Sequence, residues 1–142
     1  MSKIAATDQL WLMKSEPDVY GWDDLVAEGE GTWDGVRNHL AARNLRTMAV
    51  GDLAFFYHSN IGKAIVGIAE ITKTAGPDST TDDPRWESVW LRPLRALTPV
   101  TLETCKNTAS LADMALVKSP RLSVQPVSLT EWDIICALGE SI

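Results

Sequence analysis

Cysteine and histidine are scarce in this sequence, and each shortage removes a class of function. The two cysteines, Cys105 and Cys136, are too few for a disulfide scaffold. Neither they nor the two histidines, His39 and His58, fall at metal-ligand spacing, so no metal site is expected. No stretch approaches 18 consecutive apolar residues, which excludes a spanning helix and a membrane role. The opening MSKIAATDQL has no apolar h-region, so no secretory signal is expected and the reading is a cytoplasmic, reduced protein. GxGxxG, phosphate-loop, HExxH and GxSxG signatures are missing, and no cofactor is expected. Positive charge is also in deficit: 13 Lys and Arg face 19 Asp and Glu, a net charge of -6. Counterion release needs clustered bases, so a broad phosphate-coating surface is disfavoured. The distribution is uneven, however. Glu16, Asp18, Asp23, Asp24, Glu28 and Glu30 crowd one segment, and Arg37, Arg43 and Arg46 follow in a stretch free of acids. One local basic face remains available to nucleic acid.

What is present describes one globular domain, residues 1–142. Its 45% hydrophobic and 23% charged residues sit near the globular average, and the length suits a single core. Leu10–Lys14 reads as a strand, and Pro17 stops its pairing. Trp22–Glu28 reads as a helix with acids in its first turn and Gly29 after it; Arg37–Met48 reads as a second. Asp52–His58 and Ala64–Thr72 form a hairpin through Asn60–Lys63, and Gly67 signals a bulge or a close backbone approach. Arg85–Leu97 is a third long strand, with Trp86 and Trp90 on one face as core or sheet-covering residues and Pro93 at an edge or bulge. The breaker-rich segment 75–84 is a loop between strands. Short helices are expected at Thr101–Lys106 and Ser110–Leu116, and a last strand at Arg121–Pro126. Ser128 and Glu131 have capping-box spacing, Val127 and Trp132 staple spacing, and Gly139 is read as the end of the final helix. The fold class is α+β: a strongly bent sheet, closed or nearly closed as a small barrel, with short helices over its ends.

Six tryptophans, against two Phe and two Tyr, are the informative excess. Trp22 and Trp132 read as helix packing. Trp33 lies between Gly31 and Asp34-Gly35, in a turn by this reading. It either presents its ring to a ligand, with Asp34, Arg37 and Asn38 beside it, or anchors the loop as a plug. The strand Phe55–His58 sends Phe56 and His58 to one face and Phe55, Tyr57 and Ser59 to the other. One of these faces either builds an aromatic-walled pocket with Trp33 or is buried like its opposite. His58 and Ser59 point to opposite faces, which argues against a base–nucleophile pair. An enzyme using His58 as general base, and a protein-interaction domain, stand as the alternatives to a binding module.

Five ordered motifs narrow the choice. Trp11–Pro17, Trp33-Asp-Gly-Val-Arg-Asn38, Val50–Ser59, Gly67–Glu70 and Arg121–Pro126 resemble the EVE domain in its single-domain bacterial form, over about residues 10–138. The resemblance implies a PUA-like fold and a non-enzymatic module that binds a modified base or nucleotide of DNA or RNA. The base would be flipped into an aromatic pocket. The resemblance would place Trp33, Asp34 and Asn38 at the pocket, Ser15 and Pro17 at its rim, Phe56, His58 and Ser59 on one side, and Ser119 and Ser123 on another. Lys14, Arg37 and Arg121 would meet phosphate, and the domain would act as a monomer.

Overall fold

The computed structural model describes residues 9–140. Its sheet has six strands in the order β2-β5-β4-β3-β1-β6. These are β1 (Leu10–Ser15), β2 (Gly31–Trp33), β3 (Leu53–His58), β4 (Ala64–Pro77), β5 (Glu87–Thr101) and β6 (Val124–Pro126). β1 runs parallel to β3 and antiparallel to β6; the remaining neighbours are antiparallel. Between the strands lie α1 (Pro17–Tyr20), α2 (Trp22–Glu28), α3 (His39–Thr47), α4 (Leu102–Asn107), α5 (Ala115–Lys118) and α6 (Leu129–Glu140).

Strand alternation divides the core in two. Trp11, Met13 and Phe56 face α2 and α3, with Trp22, Leu25, Trp33, Ala41 and Leu45. Leu10, Leu12, Phe55 and Tyr57 face α4, α5 and α6, with Cys105, Leu116, Trp132 and Ile135. Both faces of β3 are therefore buried. On the second, Phe55 stacks on Trp132 with centroids 3.8 Å apart. The sheet is strongly bent but not closed, since β2 and β6 are unpaired edges. In a flat sheet β2 and β3 would stand about 14 Å apart, three strand spacings. Instead the rings of Trp33 on β2 and Phe56 on β3 meet edge to face at 5.3 Å.

Local signals explain much of this. Ser128 and Glu131 exchange backbone–side-chain hydrogen bonds, the expected capping box, and Val127 and Trp132 are both buried. Gly67 lies at a register shift in β4, and a Cβ there would stand 2.5 Å from the Trp22 ring, so the expected bulge and close approach are both present. The β5 register shifts beside Pro93, as its missing N–H requires.

Other expectations change. β4 runs on to Pro77, because residues 73–77 find partners on β5. That shortens the expected 75–84 loop and leaves Trp86 just outside β5. β6 begins only at Val124, and the segment expected as one helix at 110–116 divides into a 3-10 turn at Ala109–Leu111 and α5. Gly139 does not end α6 but lies within it, where a Cβ would stand 3.1 Å from Leu97. Its smallness serves close packing there. Trp33 is not in a turn: it ends β2, opposite Val89 of β5.

Candidate functional site

The bend brings edge strand β2 round to the end of β1, and α1 fills the corner between them. A cavity of about 500 Å³ lies there. Its walls are Lys14, Ser15 and Glu16 from the end of β1 and just past it, Val19 and Tyr20 from α1, Glu28 at the end of α2, Glu30 beyond it, Gly31–Trp33 of β2, Asp34, and Trp90 of β5.

Each wall has a local cause. Pro17 opens α1, a position where its missing N–H costs nothing. The Ser15 hydroxyl donates to the Tyr20 carbonyl at 2.6 Å and fixes that turn against β1. The chain then turns into α2 at Gly21, whose amide donates to Asp24 Oδ2 at 2.7 Å, and Tyr20 reaches Glu28 and donates its phenol to Oε1 at 2.5 Å. Burial, reinforced by that hydrogen bond and the Glu28 charge, pushes the Tyr20 phenol well up, so it stays a neutral donor. Gly31 admits the phenol: a Cβ at residue 31 would stand 2.2 Å from the Tyr20 oxygen. Trp33 is only 6% exposed yet lines the cavity, and its ring is held edge-on by both Phe56 and Tyr20.

The polar lining is mostly acidic. Glu16 accepts from Asn60, Glu28 from Tyr20 and Glu30 from Thr72. Asp34 is different, because no side-chain donor from the described residues satisfies its carboxylate. Burial, then the nearby Asp78 charge, raises its carboxyl from the ordinary value. Lys14 is the one ammonium. It is half-buried, donates to the Pro120 carbonyl at 2.8 Å, and is pushed down by burial.

The expected site residues thus divide. Lys14, Ser15, Trp33 and Asp34 line the cavity. Phe56 braces Trp33 from behind, and Pro17 sets the helix that carries Val19 and Tyr20. The rest lie elsewhere. His58 accepts a hydrogen bond from the Trp22 amide at its Nε2, 3.0 Å away, and burial lowers its pKa. The Ser59 amide extends the β1 pairing by donating to the Ser15 carbonyl. Asn38 caps α3, its side chain accepting from the Ala41 amide at 2.9 Å. Arg37 is held by buried Asp78 at 3.0 Å and by Thr80, and its guanidinium lies over Trp86. The Ser123 carbonyl accepts from the Lys14 amide, the Ser119 carbonyl accepts from buried Gln125, and Arg121 is exposed. Tyr20, Glu28, Thr32 and Trp90 join the cavity although the sequence reading assigned none of them a part in the site. A tyrosine eight residues before a glutamate, across a glycine, is the one signal that pointed to such a corner.

A strongly bent, mixed six-stranded sheet with short helices over it defines a small domain of PUA-like fold. The sequence matches the EVE domain over residues 9–138, and the chain belongs to the EVE domain family. It is 37% identical to thymocyte nuclear protein 1 of Mus musculus, aligned over 92% of this chain and 74% of that protein. A Rhodopseudomonas palustris protein solved by NMR is 49% identical, with a TM-score of 0.87 over 92% of each chain. Human THYN1 protein, solved in complex with 5-methylcytosine-containing DNA, is 33% identical, with a TM-score of 0.86 over 95% of this chain and 99% of that one.

Proposed function

We propose that this protein is a non-enzymatic binding module for a modified cytosine, acting as a monomer and holding the base flipped out of DNA in the cavity beside Trp33. The carrying observation is the pairing of that indole with Asp34, a cavity carboxylate bound to no other side chain. A carboxylate accepts from the exocyclic amine of cytosine, whereas thymine puts the acceptor O4 at that ring position. Trp33 and Tyr20 supply ring contacts worth about 1–3 kcal/mol each. The volume falls within the roughly 300–1,000 Å³ of small-molecule sites. The human relative's complex with 5-methylcytosine-containing DNA supports the choice of ligand.

Lys14 and Arg121 are the phosphate contacts in this reading, and Arg37 serves Asp78 instead. With so few free bases and a net charge of -6, affinity resides mainly in the base. The salt slope corresponds to about two or three phosphates. A reaction through His58 is disfavoured because its Nε2 is occupied and it stands off the cavity. The test is tryptophan fluorescence with free 5-methylcytidine, cytidine and thymidine. The cytidines should bind ahead of thymidine, and Asp34→Asn should erase that preference. Equal binding of all three, or none, would overturn the reading.

A further inference from the structure

Another register shift in β4, between Ile71 and Lys73, shapes the outer rim of the cavity. Ile71 lies opposite Leu91, and both are buried in the core. The register then shifts, so Lys73 rather than Thr72 lies opposite Trp90. A regular strand would point Lys73 to the face of Ile71. The extra residue turns it to the other face, which is a recurrent use of bulges beside binding sites. Trp90 is also opposite Thr32 of β2. Thr32, Trp90 and Lys73 therefore form a row across three strands, on the face away from Val89 and Leu91.

Trp90 differs from the other tryptophans near the first core. Trp33 and Trp22 are held edge-on by Phe56, Trp86 is stacked by His39, and Trp11 is buried with its indole N–H donated to Asp52. Among the described residues no ring packs on Trp90. It is half-buried, it lines the cavity, and the Lys73 ammonium stands 4.7 Å from its ring centroid. Lys73 is exposed and has no ion pair among the described residues, whereas Arg92 and Arg95 on the adjoining strand are bound to Glu70 and Glu140. An indole without a ring partner, joined to an uncommitted cation, is the combination that takes a base and its phosphate from single-stranded nucleic acid.

We infer that Trp90 and Lys73 form a second subsite, which receives the nucleotide next to the inserted base. This rests on the base-binding reading of the cavity. The neighbouring base stacks on the indole, and Lys73 leaves the ring to meet the phosphate between the two nucleotides. The subsite adds affinity for a strand over a free nucleoside, and its stacking is indifferent to the identity of the neighbour.

The test compares 5-methylcytidine with a single-stranded trinucleotide carrying 5-methylcytosine at its centre, using wild type, Trp90→Ala, Trp90→Phe and Lys73→Gln. Thermal denaturation confirms folding of each variant. Trp90→Ala, at a wall of the cavity, should weaken the trinucleotide about tenfold and the nucleoside by a clearly smaller factor, and Trp90→Phe should restore most of the loss. Lys73→Gln should lower the trinucleotide salt slope by about one phosphate. Equal losses for nucleoside and trinucleotide would make Trp90 part of the base cavity itself and overturn the subsite. So would an unchanged trinucleotide affinity in Trp90→Ala. If wild type binds neither ligand, the base-binding reading fails first and the subsite falls with it.

Discussion

Adding a single methyl group at Gly31 tests whether the cavity is the binding site. A Cβ there would stand 2.2 Å from the Tyr20 hydroxyl oxygen, 3.1 Å from Glu28 Oε1 and 3.2 Å from Leu25 Cδ1, against ordinary contacts of 3.4–4 Å. The hydroxyl must retreat from 2.2 Å to at least 3.4 Å. That breaks its hydrogen bond to Glu28 and turns the ring into the cavity. Tyr20 is half-exposed on a four-residue helix, so it yields without displacing the sheet. The stability cost is therefore limited to about 1–3 kcal/mol, the range for modest overpacking. Binding suffers as well, because the displaced ring occupies ligand space and no longer holds Trp33 edge-on. A loss of at least tenfold in nucleoside affinity is expected, about 1.4 kcal/mol. Gly76→Ala is the control, since a Cβ there meets nothing within 4 Å. Fluorescence titration and thermal denaturation of both variants supply the readouts. Full affinity in a folded Gly31→Ala protein would refute the assignment of the cavity.

Three further outcomes follow from the same geometry. Trp33→Ala should cost about 3–5 kcal/mol of stability as a buried aromatic, as well as base binding, whereas Trp33→Phe should keep the fold and lose mainly affinity; urea titration with nucleoside binding separates the two. His58 accepts from the Trp22 amide only when neutral, and its folded pKa is lowered. Its contribution to stability is therefore complete above about pH 6.5 and lost as pH falls through the lower folded value, and His58→Gln should flatten that part of the stability–pH curve. Burial alone would raise the Asp78 carboxyl, but hydrogen bonds from Thr80, Gly35 and Arg37 hold it well below the usual carboxylate range. Asp78→Asn should cost about 1–3 kcal/mol at neutral pH, and the difference should shrink as pH falls below about 3.9, because the native carboxylate then loses its advantage.

Sequence legibility followed the range of the interactions. The Trp22–Glu28 helix, the β3–β4 hairpin and the Ser128–Glu131 capping box are set by residues within a few positions of one another, and all three were readable. Gly67 was readable as a close approach because an interior strand glycine has few other uses, although its partner Trp22 was not. The parallel pairing of β1 with β3 joins residues about 43 apart, such as Leu10 and Leu53, and no local pattern encodes it. Arg37 looked free for phosphate because its partner, Asp78, lies 41 residues away in a loop. Asn38 looked like a ligand contact although its spacing to Ala41 also suits an N-cap. Trp90 reads equally as core or as sheet-covering, because alternation assigns a face but not what covers it. Trp33 was read as a turn residue because a three-residue edge strand between glycines carries no period of its own.

The most direct test of the account is an NMR titration of the six indole N–H signals with 5-methylcytidine. Trp11 donates its indole N–H to buried Asp52 at 3.0 Å, and Trp22, Trp86 and Trp132 are buried away from the cavity. Trp33 should shift most and Trp90 less, while the other four signals stay in place. Shifts confined to Trp86 or Trp132, or no saturable shift at Trp33, would contradict a base held in this cavity.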